Sequence, residues 1–148
     1  MVEQMKRIKV LFLAALLTVG MMGIAPRTEA ANWVWVTSTD YAEVRIDASN
    51  CRWRNIRTNI DGYHWVLSFW DSYYYPSASN PSKLTEIVSH LLMYRGKDGT
   101  LYKATPYFIL YDGNGNIIDS MDLSHNFKPC PTDSIDEKEY KAAKRYAP

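Results

Sequence analysis

From Trp33 to about Asp119 aromatic and β-branched residues alternate with polar ones. This period of two restricts the fold more than any other feature, because it commits most of the chain to half-buried strands. "NWVWVTS" places Trp33, Trp35 and Thr37 on one face and Val34 and Val36 on the other. "YAEVRID", entered through a Thr39-Asp40 turn, sends Ala42, Val44 and Ile46 inward and Tyr41, Glu43, Arg45 and Asp47 outward. "GYHWVLSFWDSYYY" follows the Asp61-Gly62 turn as a long strand with Tyr63, Trp65, Leu67 and Phe69 on one face. "LYKATPYFILYDGNGNIID" reads as two strands joined at Asp112-Gly113-Asn114-Gly115, with Pro106 marking an edge or a bulge.

Two segments need separate treatment. In "SKLTEIVSHLLMYRG", Leu84, Ile87, Val88, Leu91 and Leu92 fit a helical stripe, while Ile87, Ser89, Leu91 and Met93 fit a strand leading to a turn at Lys97-Asp98-Gly99. We read a strand over Ile87 to Tyr94. The tail, "FKPCPTDSIDEKEYKAAKRYAP", switches to helical patterning: Ser134 and Glu137 form a capping box, acidic residues open the helix, and Lys141, Lys144 and Arg145 close it. Ile135, Ala142, Ala143 and Tyr146 make its apolar stripe. So short a helix is marginal alone and must dock on the sheet. The fold class is therefore α+β: an antiparallel sheet of about six strands with a C-terminal helix on one face.

Residues 1–30 read as an export signal, with Lys6, Arg7 and Lys9 before an apolar run from Val10 to Ala25 and a small-residue cleavage site at Ala30. The run falls short of the roughly 20 residues a membrane span needs, so the mature chain carries no span. Residues 31–148 then form a single domain, extracytoplasmic in the periplasm, at the cell surface or secreted. Without the signal, 13 basic residues face 14 acidic ones, a balance that gives no reason to expect nucleic acid. Cys51 and Cys130 both lie in the exported part. There an even count favours a disulfide over two free thiols or a metal site, and such a bond would fasten helix to sheet.

The chemistry points to binding. Arg52, Arg54 and Arg57 beside Trp53 in "CRWRNIR" suit carboxylates, sulfated sugars or an acidic partner. Tyr73, Tyr74 and Tyr75 form the second binding candidate, since tyrosine offers large contact area at low entropic cost. An exposed edge strand would also let two copies pair as a homodimer. No cofactor or metal is expected: Asp112, Asn114 and Asn116 begin like a calcium loop, but Ile117 stands where glycine is required and Leu123 where glutamate is. Neither G-x-S-x-G nor S-x-x-K occurs, and His64 and His90 alternate into strand faces as structural histidines. The alternative reading, a small extracytoplasmic metal-dependent or acid/base hydrolase, would use Asp119, Asp122 and His125 in "DSMDLSH".

Trp33 in "NWVWVTS", "EVRID", "WVLSFWD", "YFILYDGNGNII" and the series Pro131, Ser134, Glu137, Tyr140 together resemble the surface-adhesin protein E family. The resemblance covers nearly all of residues 31–147. It implies a six-stranded antiparallel sheet with a disulfide-tied C-terminal helix, and non-enzymatic binding to host matrix proteins. Its motifs are packing and turn features, and this chain lacks the lipid-attachment cysteine typical of the family's adhesins. A protein or glycan ligand at the cell surface or elsewhere in the envelope is the partner expected.

Overall fold

A computed structural model describes residues 31–76 and 83–148; the expected signal segment and part of the "PSASNPS" loop lie outside them. Eight strands form one antiparallel sheet: β1 (Trp33–Ser38), β2 (Glu43–Asp47), β3 (Arg52–Thr58), β4 (Gly62–Tyr74), β5 (Leu84–Arg95), β6 (Leu101–Asp112), β7 (Ile117–Asp122) and β8 (Lys128–Pro129). Helix α1 (Ile135–Tyr146) follows. The strands run in the order β1-β2-β4-β5-β6-β7, with β3 beside β4 and β8 beside β6.

The count exceeds the expected six because both flanks of the central β4-β5-β6 unit are interrupted. β4 is 13 residues long and serves two partners on one side, β2 from Asp71 to Tyr74 and β3 from Gly62 to Ser68. A 3-10 turn at Ala48–Asn50 separates them, anchored by the Asp47 carboxylate, which accepts from the Ser49 amide and hydroxyl and from the Asn50 side chain. Asp47 is thus fully buried, against the outward position that alternation assigns it. On the opposite flank β7 pairs with Tyr107 to Tyr111 of β6, and β8 with Tyr102 and Lys103. Between β7 and β8 the chain bulges over the sheet, held by Asn59, whose side-chain oxygen accepts from the Phe127 amide at 2.6 Å. Pro106 sits where the β5–β6 register slips, as its missing N–H requires.

The ambiguous segment is a strand from Leu84 to Arg95. Its period of two is hidden because Leu91 through Tyr94 are all buried: both faces are covered there, so the sequence shows a continuous apolar run. On one face Ile46, Leu67, Phe69, Leu91, Met93 and Leu101 pack under Tyr140, Ala142 and Ala143 of the helix. On the other, Val66, Leu92, Tyr94 and Ala104 pack under Phe127. Burying each large side chain contributes roughly 1.5–3 kcal/mol.

Ser134 caps α1, its hydroxyl accepting from the Glu137 amide at 3.3 Å. Glu137 does not complete the box; its carboxylate pairs with Arg95 on β5, while Asp136 pairs with Lys103 on β6 at 2.7 Å. The apolar stripe is also shifted. Ala142 and Ala143 are buried as expected, but Tyr146 is exposed and the anchor is Tyr140, set edge-on against Trp53 at 6.5 Å between ring centroids. One turn of α1 also buries Glu139, 1% exposed, against Asp71 of β4, 3% exposed.

The two carboxyls hydrogen-bond each other. Burial pushes Asp71 up from its ordinary 3.8 to about 6, an effect that the bond to Glu139 and the Lys103 ammonium only partly offset. Glu139 is driven well up by burial and then by Asp71. Two anions cannot share so dry a site, so one carboxyl keeps its proton.

The expected disulfide is not formed: Cys51 and Cys130 are both free thiols. Cys51 is buried with its thiol on the Asp47 carbonyl at 3.4 Å. The entry to the helix is held by other means, the Cys130 amide donating to the Leu101 carbonyl at 2.8 Å and the two ion pairs above. Burial pushes both thiols up to about 11, with Asp47 adding at Cys51 and Asp136 at Cys130.

Two outcomes follow. A carboxyl raised in the folded state binds its proton more tightly there than in the unfolded chain. Stability from this source is therefore full below about pH 4 and lost as pH rises through about 6. Glu139→Gln should flatten that decline and raise neutral-pH stability by roughly 1–3 kcal/mol, checked by urea melts of both chains from pH 4 to 8; parallel curves would defeat the shared-proton account. Thiol titration should find both cysteines slow to alkylate when folded and fast in denaturant, with reductant leaving the melting temperature unchanged.

Candidate binding site on the open sheet face

Helix α1 covers one face of the sheet and Phe127 part of the other, which leaves a polar and aromatic area on that second face. Alternation along β4 points Val66, Ser68, Trp70, Ser72 and Tyr74 there. On one side β3 places Arg52 opposite Ser68 and Arg54 opposite Val66. On the other, β5 places His90 opposite Trp70, and Tyr107 of β6 stands opposite His90. A pocket of about 220 Å³ opens between Asn50, Arg52, Arg54, Ser68 and Trp70.

Neighbouring contacts hold these groups. The His90 ring stacks on Trp70 at 5.0 Å and 19°, Tyr107 meets Trp70 edge-on at 6.3 Å, and the His90 Nε2 to Ser68 Oγ distance is 2.9 Å. The Asn50 amide nitrogen donates to Asp47 Oδ2 at 2.6 Å, which leaves its oxygen as an acceptor. Farther along β4, Glu86 accepts from Ser72 at 2.5 Å and from Arg45 at 3.2 Å, and Arg45 lies over the Tyr74 ring, so that cluster is already neutralised. Arg52 and Arg54 are exposed and make no ion pair with a described residue.

Burial first, then Arg54 and His125, lowers His90 to about 4, so the ring is neutral at physiological pH. A neutral imidazole against a serine hydroxyl is how a nucleophilic pair begins. Here Ser68 lies mid-strand between β3 and β5, where ladder bonds occupy the backbone N–H groups that would steady an oxyanion. The arrangement sets fixed donors and acceptors beside an aromatic wall.

Each expected site residue can now be placed. The arginine cluster is divided by the strand's own alternation. Arg52 and Arg54 face the pocket, whereas Trp53 packs under the helix against Tyr140, and Arg57 stands opposite Tyr63 on the helix side. The tyrosine run divides too. Tyr73 lies half-buried on the helix side near Asp71 and Glu139, Tyr74 lies under Arg45 on the open face, and Tyr75 follows the strand. Asp119 and Asp122 occupy odd and even positions of β7, hence opposite faces, and His125 lies in the exposed loop beyond. The three do not converge, and among the described residues no group of His, Cys, Asp and Glu could hold a metal. The calcium-like turn spends its carboxylate on the backbone, with Asp112 Oδ1 accepting from Asn114 and Asn116 at 2.9 Å each. His64 bonds the Trp65 carbonyl at 2.9 Å and packs on Tyr94.

Asn50, Ser68 and Trp70 were not among the residues the sequence singled out, and His90 was read there as a structural histidine. Trp70 and Ser68 share a face by alternation, which was legible. Their meeting with His90 depends on the β4–β5 register, for which no local signal exists. No family model, curated protein or solved structure matches the chain.

The stacked, buried geometry predicts that the His90 imidazole shows no titration step above about pH 5. Histidine ring signals followed by NMR from pH 4 to 8 would check this, and a His90 midpoint near 6.5 would mean that the ring is solvated rather than stacked.

Proposed function

We propose that the chain is an exported, non-enzymatic binding module of the protein E type, meeting host matrix proteins or other cell-envelope components through its open sheet face. The observation that carries this reading is the pocket between Arg52, Arg54 and Trp70: two cationic forks without a described ion-pair partner beside a supported indole. Three other cationic groups on the sheet are paired, Arg45 with Glu86, Arg95 with Glu137 and Lys103 with Asp136. Exposed Tyr63 and Trp65, 70% and 58% accessible, lie on the opposite, helix-bearing face and form a second apolar area apart from this pocket. The resemblance in "NWVWVTS", "EVRID" and the Ser134–Glu137–Tyr140 series supports the same class. Asp119, Asp122 and His125, which the hydrolase reading would use, do not come together.

Protease treatment of intact producing cells, followed by detection of the domain, tests where it works. Loss of signal is expected if it is displayed. The purified domain should then bind immobilised matrix proteins, and the Arg52→Ala/Arg54→Ala double variant should lose roughly tenfold or more in affinity. Full protection until the outer layer is breached would eliminate host adhesion and leave an envelope partner.

A further inference from the structure

The pocket's chemistry is more particular than a basic patch, and it names a ligand class. Arg52 and Arg54 are two apart on one strand, so their guanidinium groups leave the sheet on the same side about 7 Å apart at the backbone. Planar five-donor forks at this spacing match a carboxylate or sulfate. Trp70 supplies the opposite requirement. His90 covers one indole face, and the pocket wall includes Trp70 but not His90, so the ligand meets the ring away from that stack. An aromatic face packs well against the C–H groups of a pyranose, which are apolar and carry slight positive charge. Asn50 and Ser68 also line the pocket, an amide and a hydroxyl of the kind that exchange hydrogen bonds with ring hydroxyls. At about 220 Å³ the pocket is smaller than the roughly 300–1,000 Å³ of a drug-sized site, and its open side suits one ring of a longer chain.

We propose that this pocket binds an acidic pyranose unit of a glycan, its anionic group on Arg52 and Arg54 and its ring against Trp70. The inference rests on the binding-module reading and specifies its ligand. The nearby carboxylates do not oppose it: Asp47 is engaged by Ser49 and Asn50, and Glu86 by Ser72 and Arg45.

The test measures tryptophan fluorescence and calorimetric binding of the mature domain with three oligosaccharides: one bearing uronates without sulfate, its sulfated counterpart, and neutral dextran. Polyglutamate serves as an anion without sugar. Both acidic sugars, or either one, should bind and quench fluorescence, while dextran and polyglutamate should not; which acidic sugar is tighter tells carboxylate from sulfate recognition. Arg52→Ala/Arg54→Ala and Trp70→Ala should each weaken binding roughly tenfold or more. Trp70→Phe, which keeps an aromatic wall and guards against misfolding, should retain part of it. Equal binding of polyglutamate, or full binding by Trp70→Ala, would overturn the proposal in favour of plain charge attraction. Capture of matrix or envelope proteins, measured in parallel, separates the two readings: protein capture without sugar binding removes only the glycan inference, and absence of both removes the binding-module reading as well.

Discussion

Strand β4 is the member on which the rest of the molecule depends. Its 13 residues pair along one side with two strands in succession and along the other with β5, so it carries hydrogen bonds that no shorter strand could offer. It also sets both faces. Leu67, Phe69 and Asp71 meet the helix, while Val66, Ser68 and Trp70 meet the opposite side. A slip of one residue in its register would exchange those sets and put Trp70 under the helix.

Helix α1 docks at a cost that the sheet accepts. Alanines at 142 and 143 let its backbone approach, and Tyr140 fills the space beside Trp53. The same approach drives Glu139 onto Asp71, where hydrophobic residues of similar size would be expected to serve stability better. The pair therefore makes helix docking sensitive to protonation, and Asp136, Lys103 and Tyr73 all lie within its electrostatic reach. With Arg95 and Lys103 pairing to the first turn, the helix is held by charge at its start and packing along its length.

The open face follows from that asymmetry. A single helix covers one side of the sheet, and Phe127, clamped by Asn59, covers only one end of the other. What remains bare is the stretch where Trp70 stands between His90 and the two arginines. Burial keeps His90 neutral, so the positive charge at the pocket is confined to exposed Arg52 and Arg54. That separation of a charged wall from an aromatic wall is why the face is read as a recognition surface.

The α+β class, most strands, their turns and the helix cap were legible in the sequence by itself, because they rest on local periodicity and on residues that act within four positions of one another. Ser134 capping Glu137, and the turns at Asp61-Gly62 and Asp112, are of that kind. Tertiary structure alone decided the rest. The Leu91–Tyr94 run hid its strand period because it is covered on both faces, and the flanks broke in two because Asp47 and Asn59 anchor interruptions through contacts that alternation does not encode. The cysteines stayed unpaired although their even number, in a chain expected to be exported, suggested a bond. Arg52 and Arg54 were visible as a cluster, but which of its members share a site with Trp70, and which lie beneath the helix, was fixed by strand register, a property of two segments together and of neither alone.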